Sequence, residues 1–382
     1  MRGWRPSVSW PRCAGTVGPP EARDVKISLR QWNRTLLTRQ HLTARIDEDL
    51  LEVLDRCVGL QSQDPRAAFV GLWSRIGDFV PADLDALLTD REVVRMASLR
   101  STLFLMDAED ARWVRSAAQP ALDAEVRTAH AKRLVRAAPA EIVDDARAVL
   151  SGTALSGRDL GIALAERRPD EAPGTLVAIA RCGLPLVQIP PRGLWRRSGG
   201  PTYALFDDWV GPGDPALTGD EARAELIRLY LRGFGPATVA GIQTWAGLTG
   251  LGPLVEAMEA DWELERIEGP DGEELFDLDG LGVADEDTPA PVRLVAPYDN
   301  IVFAQADRRR VIDEDVMAAI ATPNGRSPGF VLVDGRVSGT WSVGADDAVA
   351  VDLLRPVGTR DRAAVDAEVD LLTTLLRTPP GT

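Results

Sequence analysis

PADLDALLTDREVVRMASLRSTLFLMD, residues 81–107, decides the fold. A helical segment, PADLDALLTD, enters through a proline, which suits a first turn, and carries its leucines at helical spacing. Two short extended runs, VVRMASLR and TLFLMD, follow it with a polar turn between them. Upstream, Ser28 is placed to cap a helix whose Leu29, Trp32, Leu36 and Leu37 share one side. The next helix is expected to run through DEDLLEVLDRCVGLQSQ, residues 47–63, with acids at its start and an apolar stripe through Leu50, Val53, Leu54, Cys57, Val58 and Leu60. Asp64-Pro65 then breaks it, because a residue before proline is pushed out of the helical region. Pro65 reads as the entry to a third helix, AAFVGLWSRI, which places Gln61-Ser62-Gln63 at a helix–helix junction.

Helices, then strand, turn and strand, make a winged-helix unit, and the same order recurs twice. Helices over about 139–150, 156–167 and 173–181 lead to LPLVQI, the turn-rich PRGLWRRSGGPT, and YALF. Helices over about 219–232, 235–246 and 252–260 lead to WELERI, GPDGEE and LFDLDG. Repetition strengthens the reading, since an accidental match has to recur. From Pro291 the pattern turns to strands, with Asp334-Gly335 as a two-residue hairpin turn and a final helix over about 361–377. The expected fold is therefore α+β and multi-domain: three tandem winged-helix units, at 25–136, 137–210 and 211–290, followed by a β-rich, barrel-like domain at 291–382. Residues 1–24 lack the apolar core of a signal peptide and read as a disordered extension.

At 382 residues the chain exceeds one ordinary core. Its 45 % apolar and 26 % charged composition is globular, and no apolar run approaches the roughly 18 residues of a membrane span. Three scattered cysteines exclude a disulfide framework and point to a reducing, cytoplasmic compartment. With only His41 and His130 in the chain, a histidine metal site or a Ser-His-Asp triad is a poor expectation, and no metal or cofactor is expected. The net charge of −15 is concentrated: residues 211–291 carry 18 acids against four arginines, whereas residues 1–210 are nearly balanced. A near-neutral segment leaves room for basic patches, and binding of polyanions follows the local field.

Four stretches carry chemistry. In PRGLWRRSGGPTY, Arg192, Trp195, Arg196 and Arg197 occupy a glycine-rich loop that suits phosphate contact and base stacking; the alternative is a solvated loop with Trp195 packed beneath it. In DNIVFAQADRRRVID, Arg308, Arg309 and Arg310 cannot all point one way, so at most two reach one ligand; the alternative is a surface turn with an internal ion pair. YLRGFGPATVAGIQTWAGL offers a Gly-Pro helix start, better explained by helix initiation and packing of Trp245 than by phosphate binding. The glutamines of LQSQDP are chemically mild, because an amide does not titrate near neutral pH and only donates and accepts hydrogen bonds. Two amides can hold a water and support a developing cation. They suit a reaction whose leaving group is already activated, such as an alkylated purine that carries positive charge.

LQSQDPRAAFVGLWSR, VVRMASLRSTLFLMDAED, PRGLWRRSGG, YLRGFGPATVAGIQTW, APYDNIVFAQADRRR and VDGRVSGTW, in this order, resemble the winged-helix DNA glycosylase family over residues 25–377. The resemblance implies a DNA-binding channel and monofunctional excision of N7- or N3-alkylated purines, including unhooking of interstrand crosslinks. It places the catalytic motif on Gln61 and Gln63, with Asp64 assisting or capping the next helix. Arg66, Arg100, Thr102, Arg192, Trp195, Arg196, Arg308, Arg309 and Arg310 are assigned to DNA contact. Double-stranded DNA is the expected partner, bound by a monomer in the cytoplasm at the nucleoid. The chain departs from the family at Phe104, where a histidine is common, and at Gly241, where an aspartate is frequent. The runner-up is a non-catalytic winged-helix DNA-binding protein or transcriptional regulator.

Overall fold

The computed structural model describes residues 26–320, 326–344 and 346–381. The extension expected at 1–24 lies outside them. Ser28 and Gln31 form a capping box at the start of α1 (Leu29–Arg39), and Asp49 caps α2 (Leu50–Arg56). The chain continues through β1 (Leu60–Gln61), α3 (Pro65–Trp73), α4 (Pro81–Thr89), β2 (Val93–Ala97), β3 (Leu103–Asp107), α5 (Ala108–Ala117) and α6 (Gln119–Glu125). Asp64 is the N-cap of α3 and Pro65 its first residue, as Asp64-Pro65 implies.

The expected helix over 47–63 is corrected. It ends at Arg56, and Val58 and Gly59 then take left-handed conformations at φ 54° and 73°. A Cβ at Gly59 would come within 2.9 Å of the Leu105 carbonyl oxygen, so glycine is required where the chain turns against β3. Leu60 and Gln61 pair with Leu105 and Phe104 instead. The Gln-Ser-Gln stretch is thus the end of an edge strand running into a helix cap, and backbone pairing with β3 overrides the helical stripe.

The second set of helices comprises α7 (Pro139–Leu150), α8 (Gly157–Arg167) and α9 (Pro173–Gly183), with β4 (Leu155–Ser156) between the first two. The hairpin strands β5 (Leu186–Gln188) and β6 (Thr202–Leu205) follow, then α10 (Phe206–Trp209). Met96 pairs with Val187, so this hairpin and the first one share a six-stranded sheet, β1-β3-β2-β5-β6-β4. The third set comprises α11 (Gly219–Phe234), α12 (Val239–Ala246) and α13 (Gly252–Ala260), with a separate hairpin of β7 (Leu264–Glu268) and β8 (Glu274–Leu278). Thr238 caps α12, so that helix starts after the Gly-Pro pair rather than on it.

The C-terminal region holds β9 (Arg293–Val295), α14 (Asn300–Phe303), α15 (Glu314–Ile320), β10 (Gly329–Val333), β11 (Arg336–Val343), β12 (Val349–Leu353) and α16 (Thr359–Arg377). Its sheet is antiparallel and open, in the order β12-β11-β10-β9, and no closed barrel occurs among the described residues. Asp334 and Gly335, at φ 46° and 74°, form the expected two-residue turn between β10 and β11. The architecture is mixed α/β, and no helix among the described residues is long and apolar enough to cross a membrane. Cys57 and Cys182 are free and buried.

Burial leaves one carboxyl with a pH signature. Asp110, in the first turn of α5, accepts a hydrogen bond from Trp113 Nε1 at 2.9 Å. Burial pushes its pKa up to about 6, with the Asp55 and Asp107 carboxylates adding to the shift against the Trp113 bond. A folded-state pKa above the unfolded value means that the unfolded chain gives up this proton first as pH rises. Its contribution to stability is therefore greatest below about pH 4 and is lost between there and about pH 6. Asp110→Asn is expected to stabilise the protein at pH 7 by on the order of 1 kcal/mol and to flatten that part of the profile. Denaturant melts at pH 4, 6 and 7.5 check it; an unchanged slope is the contrary result.

Candidate active site

Two buried or half-buried arginines hold the Gln61-Ser62-Gln63 loop. Arg95, in the middle of β2 and 1 % exposed, lies beneath it. Its Nε donates to the Ser62 carbonyl at 2.9 Å and to Ser62 Oγ at 3.0 Å, while Nη1 donates to Gln188 Oε1 on β5. Arg100, in the turn between β2 and β3, reaches the loop from the side. Its Nη2 donates to Gln61 Oε1 at 3.0 Å and to Asn300 Oδ1 at 3.1 Å, and its Nη1 donates to the Trp245 carbonyl at 2.6 Å. Burial lowers both guanidinium pKa values to about 10, so both stay protonated at neutral pH.

The backbone is shaped for these contacts. Arg100 sits at φ 53°, and Gly247, at the end of α12, packs so closely that a Cβ there would meet Arg100 Cα at 2.9 Å. Phe104 is fully buried opposite Gln61 across the β1–β3 ladder, with the Arg100 guanidinium 5.2 Å from its ring centre. An apolar ring therefore floors the site at this departure from the family. Gly241 lies in α12, its N–H taken by Thr238 Oγ1 at 3.0 Å. Asn300 closes the ring by donating from Nδ2 to the Gly59 carbonyl at 3.3 Å. Gln63 is exposed, and among the described residues its side chain has no hydrogen-bond partner. Asp64 accepts from the Arg66 N–H at 2.9 Å, which makes it a helix cap beside the glutamines.

The residues assigned to DNA contact separate into three groups. Arg66 and Arg196 are exposed and flank Asp347, at 3.9 Å and 2.8 Å. Arg192 is half-buried, donating to the Gly199 carbonyl at 2.7 Å. Arg308 is half-buried over the Phe303 ring, with no carboxylate partner among the described residues. Thr102 and Arg309 serve local structure. Thr102 Oγ1 donates to the Leu99 carbonyl at 3.1 Å, and Arg309 is paired with Asp271, Glu273 and Asp307.

The structure corrects the assignment of the remaining three. Trp195 is 1 % exposed, packed 5.0 Å from Phe69, with Nε1 donating to the Thr378 carbonyl; its ring is not available to stack on a base. Arg310 is 1 % exposed beside the Trp32 ring and donates to the Phe234 carbonyl at 2.7 Å. Arg100 spends its donors on Gln61, Asn300 and Trp245, which makes it a positioning residue. As the sequence implies, Arg308, Arg309 and Arg310 do not converge on one ligand.

Arg95, Gln188 and Asn300 escaped the sequence reading. Arg95 alone left a trace, a charge inside a run of apolar strand residues; a buried charge must find partners. No group of three or more His, Cys, Asp or Glu side chains able to hold a metal occurs among the described residues.

A mild-amide loop, clamped by two cations and lacking a titratable base, defines a site for hydrolysis of a substrate already primed to break. Comparison with known proteins agrees on the class. The model of the AlkZ-like DNA glycosylase family matches residues 54–375, and the chain belongs to that family and is a DNA glycosylase. It is 22 % identical over 342 residues to the interstrand DNA cross-link repair glycosylase of Streptomyces sahachiroi, covering 84 % of this chain and 89 % of that protein. The solved structure of the Streptomyces sahachiroi DNA glycosylase AlkZ superposes with a TM-score of 0.75 at 22 % identity, covering 93 % and 99 % of the two chains.

Proposed function

We propose that this protein is a monofunctional DNA glycosylase that excises cationic N7- and N3-alkylated purines from duplex DNA and unhooks interstrand crosslinks made through such adducts. The observation that carries this reading is the loop at Gln61–Gln63, where two amides are the working groups and the neighbouring carboxylate, Asp64, caps a helix. Amides cannot activate a reluctant nucleophile, so the substrate itself supplies the driving force through its charged leaving group. Neither lysine of the chain, Lys26 or Lys132, stands in that loop, so no amine is placed there to form a Schiff base with the sugar. The three helix-and-hairpin sets, over 25–136, 137–210 and 211–290, act as winged-helix units. With the region at 291–382 they form the DNA-binding surface, to which Arg66, Arg192, Arg196 and Arg308 supply phosphate contacts. The protein acts as a monomer on cytoplasmic, nucleoid DNA.

The test is release of free base from duplexes that carry N7-methylguanine, N3-methyladenine or an N7-linked crosslink. Free modified base and an abasic strand are expected from at least one of them. No release from any of the three, with tight sequence-specific binding of undamaged duplex, would instead establish a DNA-binding regulator.

A further inference from the structure

We infer that Gln61 and Gln63 have different jobs: Arg100 locks Gln61 as a hydrogen-bond donor, and Gln63 supplies the acceptor for the attacking water. This division rests on the base-excision reading above. An arginine carries only donors, so the amide atom that faces Arg100 Nη2 at 3.0 Å must be the Gln61 oxygen. The same Nη2 bonds Asn300 Oδ1, and Asn300 is itself held on the Gly59 carbonyl, so the clamp cannot swing away without breaking contacts in two other parts of the chain. The Gln61 amide is thereby fixed with its NH2 as the free end. Gln63 is exposed and unpartnered among the described residues, so its oxygen is free to turn to a water.

A water held by one N–H of Gln61 and donating one proton to Gln63 Oε1 keeps a lone pair for the sugar. Its oxygen forms a bond to C1′ as the C1′–N9 bond breaks. The electron pair of that bond enters the purine and neutralises its charge, and the water proton passes from the Gln63 hydrogen bond to solvent. As the new C–O bond forms, the water protons become more acidic, so the bond to Gln63 strengthens toward the transition state and the bond from Gln61 does not. Gln63 therefore acts on the chemical step, whereas Gln61 and, through it, Arg100 act on placement.

Single-turnover base release from an N7-methylguanine duplex, at saturating protein, separates the roles. Gln63→Glu keeps an acceptor and is expected within about tenfold of the unaltered protein, whereas Gln63→Met loses about 100-fold or more. Gln61→Met and Arg100→Met each lose roughly tenfold, and the double variant loses no more than the worse single one. Arg100→Met with Gln63→Met multiplies the losses, and Arg100→Lys recovers part of the rate. If Arg100→Met does not fold, Arg100→Lys takes its place: combined with Gln61→Met, it must be no slower than Gln61→Met alone. Gln63→Glu as slow as Gln63→Met overturns the acceptor role, and multiplying losses for the Arg100 and Gln61 variants overturn the clamp. Release by the unaltered protein with either result overturns this division alone; no release by the unaltered protein overturns the base-excision reading and the division with it.

Discussion

Asp299→Ala is expected to cost the fold about 3–5 kcal/mol, because it strands a guanidinium in the interior. Arg75 and Asp299 side chains are 0 % and 1 % exposed, and they meet in a two-pronged pair with both N–O distances at 3.0 Å. Arg75 follows α3, whereas Asp299 caps α14, so the pair joins parts of the chain 224 residues apart. Removal of one partner leaves a charge with neither water nor counter-charge, and desolvation of that charge dominates. Replacing both partners with apolar residues, as in Arg75→Met with Asp299→Leu, removes the stranded charge and is expected to cost less than the single change. Guanidinium melts of the three proteins decide the matter. A loss below about 1 kcal/mol for Asp299→Ala would mean that water reaches Arg75.

Gln63→Ala is expected to slow base release by about 100- to 1000-fold, the range found when one well-placed hydrogen-bonding group is removed from a reacting centre. Affinity for the modified duplex should stay within about threefold, since Gln63 is an exposed uncharged residue and phosphate contacts dominate affinity. Fluorescence anisotropy at fixed salt, run beside single-turnover release, tests both parts. A parallel fall in affinity and rate would make Gln63 a recognition residue.

Local signals were legible in the sequence. Ser28, Asp64-Pro65 and the Asp334-Gly335 turn act through their own neighbours, and each stands where its chemistry places it. The helices at 139–150 and 252–260 have the expected bounds, because proline entry and apolar spacing are also local. The end of α2 was hidden, since Val58, Gly59 and Leu60 continue a helical stripe and only the edge of β3 pulls them out of it. Burial was hidden for the same reason. Nothing beside Trp195 in sequence announces Phe69 and the Thr378 carbonyl, and nothing beside Arg310 announces Trp32. The glutamine pair was legible as chemistry, but its supports were not, because Arg95, Arg100 and Asn300 reach it from separate elements.

Arg100 and Asn300 are 200 residues apart, and the Trp245 carbonyl that takes Arg100's other bond lies between them in sequence. During synthesis Gln61 therefore leaves the ribosome long before the groups that set its amide exist. A nascent chain, or one cleaved ahead of α14, carries the motif without its orientation. The glutamines become competent only with the last docking step, so a half-made protein bound to DNA would not release bases and leave abasic sites behind it.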